Sequence, residues 1–430
     1  MSEKYKKMAG YLNLDSTEQH SIKDFTESKE ENTAQKNLEV IITDPELARF
    51  INLEIHNSNA EDGTCFNDAF ITLKSTHDLR RKRAGFITGR PKCQVVEMKN
   101  ILDTNILDVF LAGGVNAIEK YAEPVCQSFL VLLNFLKDMK NHESAIGKIL
   151  DAIPKNATKE TRITAGLAHH LFSQLVPNKM YEVDKYAKQL PKTCACGCNE
   201  DICRGDTSLG SRRTWHGQVD VMVNHTIAVV IQNIKTNVDD DDSGDDEEDT
   251  DANEPARKQR KLETDKSCDM CVEIKGNRRY ESVLLDVKVL NQILAEAITN
   301  GFAQVNKNNN TLSHFLIPTF GVTSDHVTVC LYDPENDCLL HIDDELELWL
   351  DKGTRRNLDP ETIVIIWLFL NFTVLTKKNL ATTKLHKSGF QESLKENLMY
   401  YRETKAKEKI APQTIEARPW KKITKEFVHP

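Results

Sequence analysis

The chain has 430 residues, 40% of them hydrophobic and 28% charged, with a formal net charge of -9. That length leaves room for two or three domains, and the balance is ordinary for a soluble globular protein. The opening MSEKYKKMAGYLNL lacks the apolar core of a secretory signal, and the longest apolar run, Thr362–Leu375, is too short to span a bilayer, which argues against secretion and against the membrane.

Ten of the acidic residues fall in one run, DDDDSGDDEEDTD at Asp239–Asp251. Without it the chain is near neutral, which neither demands nor excludes a nucleic-acid partner. With no export signal, the eleven cysteines are expected to be thiols or metal ligands rather than disulfides.

In chain order, residues 1–37 are polar and aperiodic and read as a disordered tail. Residues 38–155 read as a mainly helical N-terminal region, with ILDVFLAGGVNAIEKYAEPVCQSFLVLLNFLKDM (Ile106–Met139) broken near Gly113-Gly114 and Pro124. A helix is expected after Thr158, its N-cap, because Ile163, Leu167, Leu171 and Leu175 repeat every four residues up to Pro177. After a Cys-rich loop, Thr214–Val223 alternates, with Val219, Val221 and Val223 facing one way and Gln218, Asp220 and Met222 the other. Asn224-His225 predicts a turn into a second strand, Thr226–Ile234.

Residues 235–280 carry the acidic run, ARKQRK (Ala256–Lys261) and a CxxC pair, and read as a disordered surface insertion. Beyond it, SVLLDVKVL (Ser282–Leu290) predicts a strand and Asn291–Gly301 a helix. Strands follow at His314–Thr323, His326–Asp333 and Cys338–Ile342, and residues 386–430 form a helical or extended tail. The core domain is thus expected over 156–385.

On the expected strand at 282–290, Asp286 and Lys288 share a face while Leu285, Val287 and Val289 pack on the other. An adjacent strand can bring Asp220 to that face, and two converging carboxylates repel unless a cation sits between them. An all-oxygen site of this kind suits magnesium or manganese, and a lysine beside it can activate water or stabilise phosphate charge.

Four pieces in order resemble the PD-(D/E)xK nuclease superfamily, RecB-like branch. They are Gly166-Leu-Ala-His169-His170 on the helix, Gly217-Gln-Val-Asp220, Asp286-Val-Lys288, and Gln292 opening the next helix. The resemblance covers roughly Lys159–Ile342. It implies an α/β, restriction-endonuclease-like core, a mixed central sheet flanked by helices, and a metal-dependent nuclease acting on DNA. It further implies His170, Asp220, Asp286 and the Val287 carbonyl as ligands of Mg or Mn, Lys288 as the catalytic lysine, and Gln292 as its helper. Two features depart from the family pattern: Glu296 stands where a Tyr is usual, and the insertion is long. Other acid-x-Lys triplets, such as Glu97-Met-Lys99, lack an upstream GxxD strand.

Cys194, Cys196, Cys198 and Cys203, with Cys268 and Cys271, have spacings compatible with structural zinc, although CxC is tighter than a common knuckle. An iron–sulfur cluster fits less well, since none of these residues follows Gln292. Arg257–Lys261 could engage a nuclear import receptor, as could LRRKR (Leu79–Arg83), which would place the protein in the nucleus. The competing reading is a non-catalytic nuclease-fold protein that binds nucleic acid or protein through a zinc-stapled acidic insertion. A kinase or nucleotide hydrolase is disfavoured by the lack of a Gly-rich phosphate loop.

Overall fold

The structure is a computed structural model. It describes residues 21–74 (46 and 48 apart), 94–151, 159–232, 284–307 (285 apart), 316–350, 357–378 and 384–406 (405 apart). The expectations for Thr158, LRRKR, the acidic and basic runs, Cys268 and Cys271 lie outside these residues.

The chain is α/β. Its helices of eight or more residues, among those described, are α1 (Lys29–Thr43), α2 (Thr104–Ile118), α3 (Glu123–Asp151), α4 (Lys159–Leu167), α5 (Val287–Lys307) and α6 (Pro360–Leu370). The strands are β1 (Arg49–Asn52), β2 (Ile55–Ser58), β3 (Ile71–Leu73), β4 (Gln94–Glu97), β5 (Tyr181–Asp184), β6 (Arg204–Gly205), β7 (Ser208–Gly210), β8 (His216–Gln218), β9 (Val221–Val223), β10 (Ile227–Ile231), β11 (Ile317–Val322), β12 (His326–Asp333), β13 (Cys338–Ile342) and β14 (Leu346–Glu347). A ten-stranded sheet runs β4-β1-β13-β12-β11-β10-β9-β5-β6, with β14 beside β12. Neighbours are antiparallel except at β10–β11 and β5–β6, so the sheet is mixed.

Hydrophobic clusters cover both faces. Helices α1, α2, α3, α4 and α6 bury Leu38, Phe110, Phe129, Leu167 and Trp367 against one. Helix α5, the β2–β3 hairpin and aromatics Trp215, Phe390 and Tyr401 cover the other. Helix α6 and the short helix Phe372–Leu375 contain the longest apolar run, and all of α6 from Thr362 onward is buried. That bears out the expectation of a core element for this run. No described helix is long and apolar enough to cross a membrane.

One expectation for the N-terminal part needs correcting. Residues 29–37, expected within a disordered tail, open α1: Ser28 caps it by accepting from Glu31 N–H (3.0 Å), and Ala34, Leu38 and Ile41 give it a buried stripe. Residues 38–155 are mainly helical among those described, and they also add strands to the main sheet. Strand β1 pairs with β13, Phe50 opposite Ile342, and β4 extends the same sheet.

The three expected strands after residue 314 stand as β11–β13, and the hairpin turn falls at Asn224-His225, both with positive φ. That is the backbone of a type I′ turn, whose twist suits tight hairpins. The stretch 282–290 is different: from Val287 it is helix, not strand. Asp286 is its N-cap, its carbonyl accepting from Leu290 N–H (2.8 Å) and its Oδ1 from Lys288 N–H (2.9 Å). From Leu290 on, Ile293, Leu294, Ala297 and Ile298 form a buried stripe at helical spacing, which outweighs the β-branched Val287 and Val289. The order helix, three antiparallel neighbours (β5, β9, β10), helix (α5), parallel strand (β11) is therefore built from other residues than expected. The long segment after β10 leads into the crossover helix rather than into a strand.

Candidate metal centres

The first site lies where the expected strand 214–223 breaks. Strand β8 pairs with β7 in a small separate ribbon, β9 joins the main sheet, and Val219-Asp220 form the joint. Gly217 permits the approach of the Phe66 ring, whose Cδ2 lies 2.9 Å from where a Cβ would stand. Past the joint, Asp220 continues the parity of Met222 and faces α5. Its Oδ2 accepts from Ile231 N–H (2.7 Å) at the end of β10, a bond the broken ladder cannot supply.

Opposite stands a polar stripe on α5. Lys288, Gln292, Glu296, Asn300 and Gln304 follow one another at four-residue spacing, each beside the last, in a line that winds round the helix from its exposed to its buried side. The inner end is tied to the β9–β10 hairpin: Asn300 Nδ2 donates to the Thr226 carbonyl (2.9 Å) and Gln304 Nε2 to the His225 carbonyl (3.4 Å). Nearer the surface, Gln232 Nε2 donates to Gln292 Oε1 (3.2 Å), and Gln292 Nε2 donates to Glu296 Oε1 (2.9 Å). Glu296 is buried, and its Oε2 has no hydrogen-bond partner among the described residues. Burial, then the nearby Asp220 carboxylate, raises its pKa well above the usual carboxylate range. Burial is the larger cause, and the Asp220 carboxylate adds to it because like charges near one another disfavour ionisation.

The resemblance-implied set is only partly gathered here. Asp220 and Gln292 are present. Lys288 is exposed, about two helical turns along α5 from Glu296, at the outer end of the same stripe. Asp286 and Val287 are exposed at the helix start and reach neither carboxylate by any contact found among the described residues. Glu296, the residue that broke the family pattern, is the second acid of the pocket. Its four-residue spacing from Gln292 was the sequence signal that could have found it.

The second site takes His170 away from the first. Helix α4 ends in a π-helical turn, Ala168–Phe172. Such turns shift the direction of side chains by an added residue and recur at functional sites. Gly166, part of the motif, serves packing: a Cβ there would lie 2.4 Å from Ile149 Cδ1 of α3. In the π turn His169 Nδ1 meets Tyr181 Oη (3.2 Å), while His170 Nε2 lies 3.1 Å from Cys196 Sγ, 3.2 Å from Cys194 Sγ and 3.9 Å from Cys198 Sγ. The four ligand atoms are all within 4.8 Å of one another, and the group could hold a metal such as zinc. Burial, followed by His169 and His142, lowers the His170 pKa to about 3, and burial with the neighbouring thiols pushes Cys194 up to about 12.

Cys203 is exposed outside this group, its N–H donating to Tyr181 Oη (3.4 Å). The expected cluster is thus reduced to three of its described cysteines and gains a histidine. Comparison with known families, curated proteins and solved structures finds no match to this chain.

Proposed function

We propose that the chain is a metal-dependent phosphodiester hydrolase acting on nucleic acid, DNA first, with Asp220 and Glu296 as the carboxylates that hold its cation. The observation that carries this reading is the buried carboxyl of Glu296 beside Asp220: the Glu296 Oε2 lacks a partner among the described residues. A dication fits beside two such acids because it removes the repulsion between them and compensates the burial of their charge. Bound there, magnesium or manganese would polarise a phosphoryl oxygen and lower the pKa of water.

The protein's own groups do the rest. Ile231 N–H and the Gln292 amide fix one oxygen of each acid, which orients the two others. Gln232 and Gln292 are half-buried between the acids and solvent and can orient a substrate by hydrogen bonds. Lys288, at the exposed end of the stripe, supplies positive charge for a phosphate. The succession of three antiparallel strands, crossover helix and parallel strand supports a restriction-endonuclease-like core, and through it the RecB-like resemblance.

A second reading is a non-catalytic nuclease-fold protein that binds nucleic acid or protein. The exposure of Asp286 and Lys288, away from the carboxylate pair, favours it. Cleavage of labelled single- and double-stranded DNA and RNA, with magnesium or manganese and beside Asp220→Asn, separates the two. Wild-type cleavage that the variant lacks supports the hydrolase. Binding without cleavage of any polymer leaves only the second reading.

A further inference from the structure

The structure assigns a closed Cys3His zinc site to His170, Cys194, Cys196 and Cys198, which fastens the loop between β5 and β6 to the end of α4. This goes beyond the hydrolase reading and does not depend on it.

Geometry argues first. Four ligands around tetrahedral zinc, with Zn–S near 2.3 Å and Zn–N near 2.0 Å, lie about 3.5 Å (N to S) and about 3.8 Å (S to S) apart. The separations here are 3.1, 3.2 and 3.9 Å from Nε2 to the sulfurs and 3.5 Å from Cys194 Sγ to Cys196 Sγ, with none beyond 4.8 Å. The atoms already outline the required cage. A disulfide is not an alternative at 3.5 Å, where a bond would need about 2.05 Å.

The backbone is shaped to the same end. A CxCxC run on a regular strand would throw all three side chains to one face in a line, about 7 Å apart, too far for one ion. Here Gly197 (φ 89) and Asn199 (φ 62) take left-handed conformations that curl the run into a knuckle. Cys198 N–H turns inward and donates to Cys196 Sγ (3.3 Å), a bond that steadies negative charge on sulfur. From the other side, the π turn separates the tasks of two adjacent histidines. His169 is engaged by Tyr181, and His170 is left to face the sulfurs.

Chemistry names the metal. Three thiols and an imidazole are soft donors that select zinc over magnesium or calcium, and four protein ligands leave no open position. The ion is structural rather than a reaction partner. It would tie residues far apart in sequence, across the approach to β5, β6 and the bridge Thr193–Asp201.

The test is the metal content of the full chain purified without chelator. One zinc per chain is expected, together with the intense visible absorption of a tetrahedral thiolate site after cobalt exchange. His170→Ala and Cys198→Ser should each weaken zinc binding by more than about tenfold in a competition titration with a chromogenic chelator. Cys203→Ser and the double variant Cys268→Ser/Cys271→Ser should keep one tightly held zinc. Cys198 is exposed, so its variant is expected to retain the fold, and circular dichroism checks this. A wild type without zinc, zinc held as tightly by His170→Ala, or zinc lost on changing Cys203 or Cys268 and Cys271 would each overturn the assignment. None of these readouts depends on cleavage.

Discussion

Two substitutions on α5 separate the pocket described above from the one implied by the Asp286-Val-Lys288 motif. Glu296→Gln keeps the side-chain shape and the acceptor for Gln292 Nε2, and replaces a carboxyl whose pKa burial already raises well above the usual range. Its effect on folding should therefore stay within about 1 kcal/mol. As a lost cation ligand it should lower cleavage by about 10²–10³, which corresponds to about 3–4 kcal/mol of transition-state stabilisation.

Asp286→Ala is the converse. It removes an N-cap bond of 2.9 Å from an exposed helix start. The cost is about 1 kcal/mol of stability, seen as a small fall in melting temperature, with cleavage changed by less than about twofold. Initial rates on a labelled oligonucleotide with manganese, beside thermal melts of the same samples, measure both. If Asp286→Ala abolished cleavage while Glu296→Gln left it intact, the geometric assignment would be wrong and the motif right.

The aromatic cluster under α5 and the buried histidine of β13 make two more predictions. Tyr401 Oη donates to the Ala60 carbonyl (3.1 Å) and accepts from Trp215 N–H (3.0 Å), so Tyr401→Phe strands a buried donor and should cost about 1–3 kcal/mol in urea unfolding. A cost below about 0.3 kcal/mol would mean that this bond contributes nothing. His341 is buried beside Thr328 Oγ1 (2.9 Å), and burial, partly opposed by Asp343, lowers its pKa from 6.5 to about 4. The unfolded chain takes up a proton below pH 6.5 that the folded chain refuses. Stability is then complete above that pH and falls by up to about 3 kcal/mol as pH drops towards 4. His341→Gln should flatten this part of the profile relative to wild type, and parallel curves between pH 7.5 and 4.5 would refute it.

Much of the sheet could be read locally. The strands His326–Asp333 and Cys338–Ile342, the Asn224-His225 turn and the burial of Thr362–Leu375 all follow from patterns within a dozen residues. The motif at 282–298 misled for a physical reason. Val287 and Val289 around Asp286 and Lys288 alternate like a strand, yet the same residues begin a helix whose buried stripe starts only at Leu290. Asp is also a favoured N-cap residue, and at 286 it caps this helix.

At the two candidate sites, Asp220 was legible from GxxD and the strand parity. Glu296 was noticed only as a departure from the family pattern. The pairing of His170 with cysteines 24 to 28 positions later was not legible, since it depends on a π turn and a knuckle that periodicity does not encode. Likewise, no local signal joins Phe50 to Ile342.

That last pairing sets an order of events during synthesis. Strand β1 leaves the ribosome long before β13, yet it has no place in the sheet until β13 has been made and has paired with β12. Until then Arg49–Asn52 and the β4 strand that leans on it are an unclaimed edge, open to wrong partners. Fragments ending before residue 338 should for this reason be prone to aggregate, and the protein should become protease-resistant late, in one step, rather than region by region.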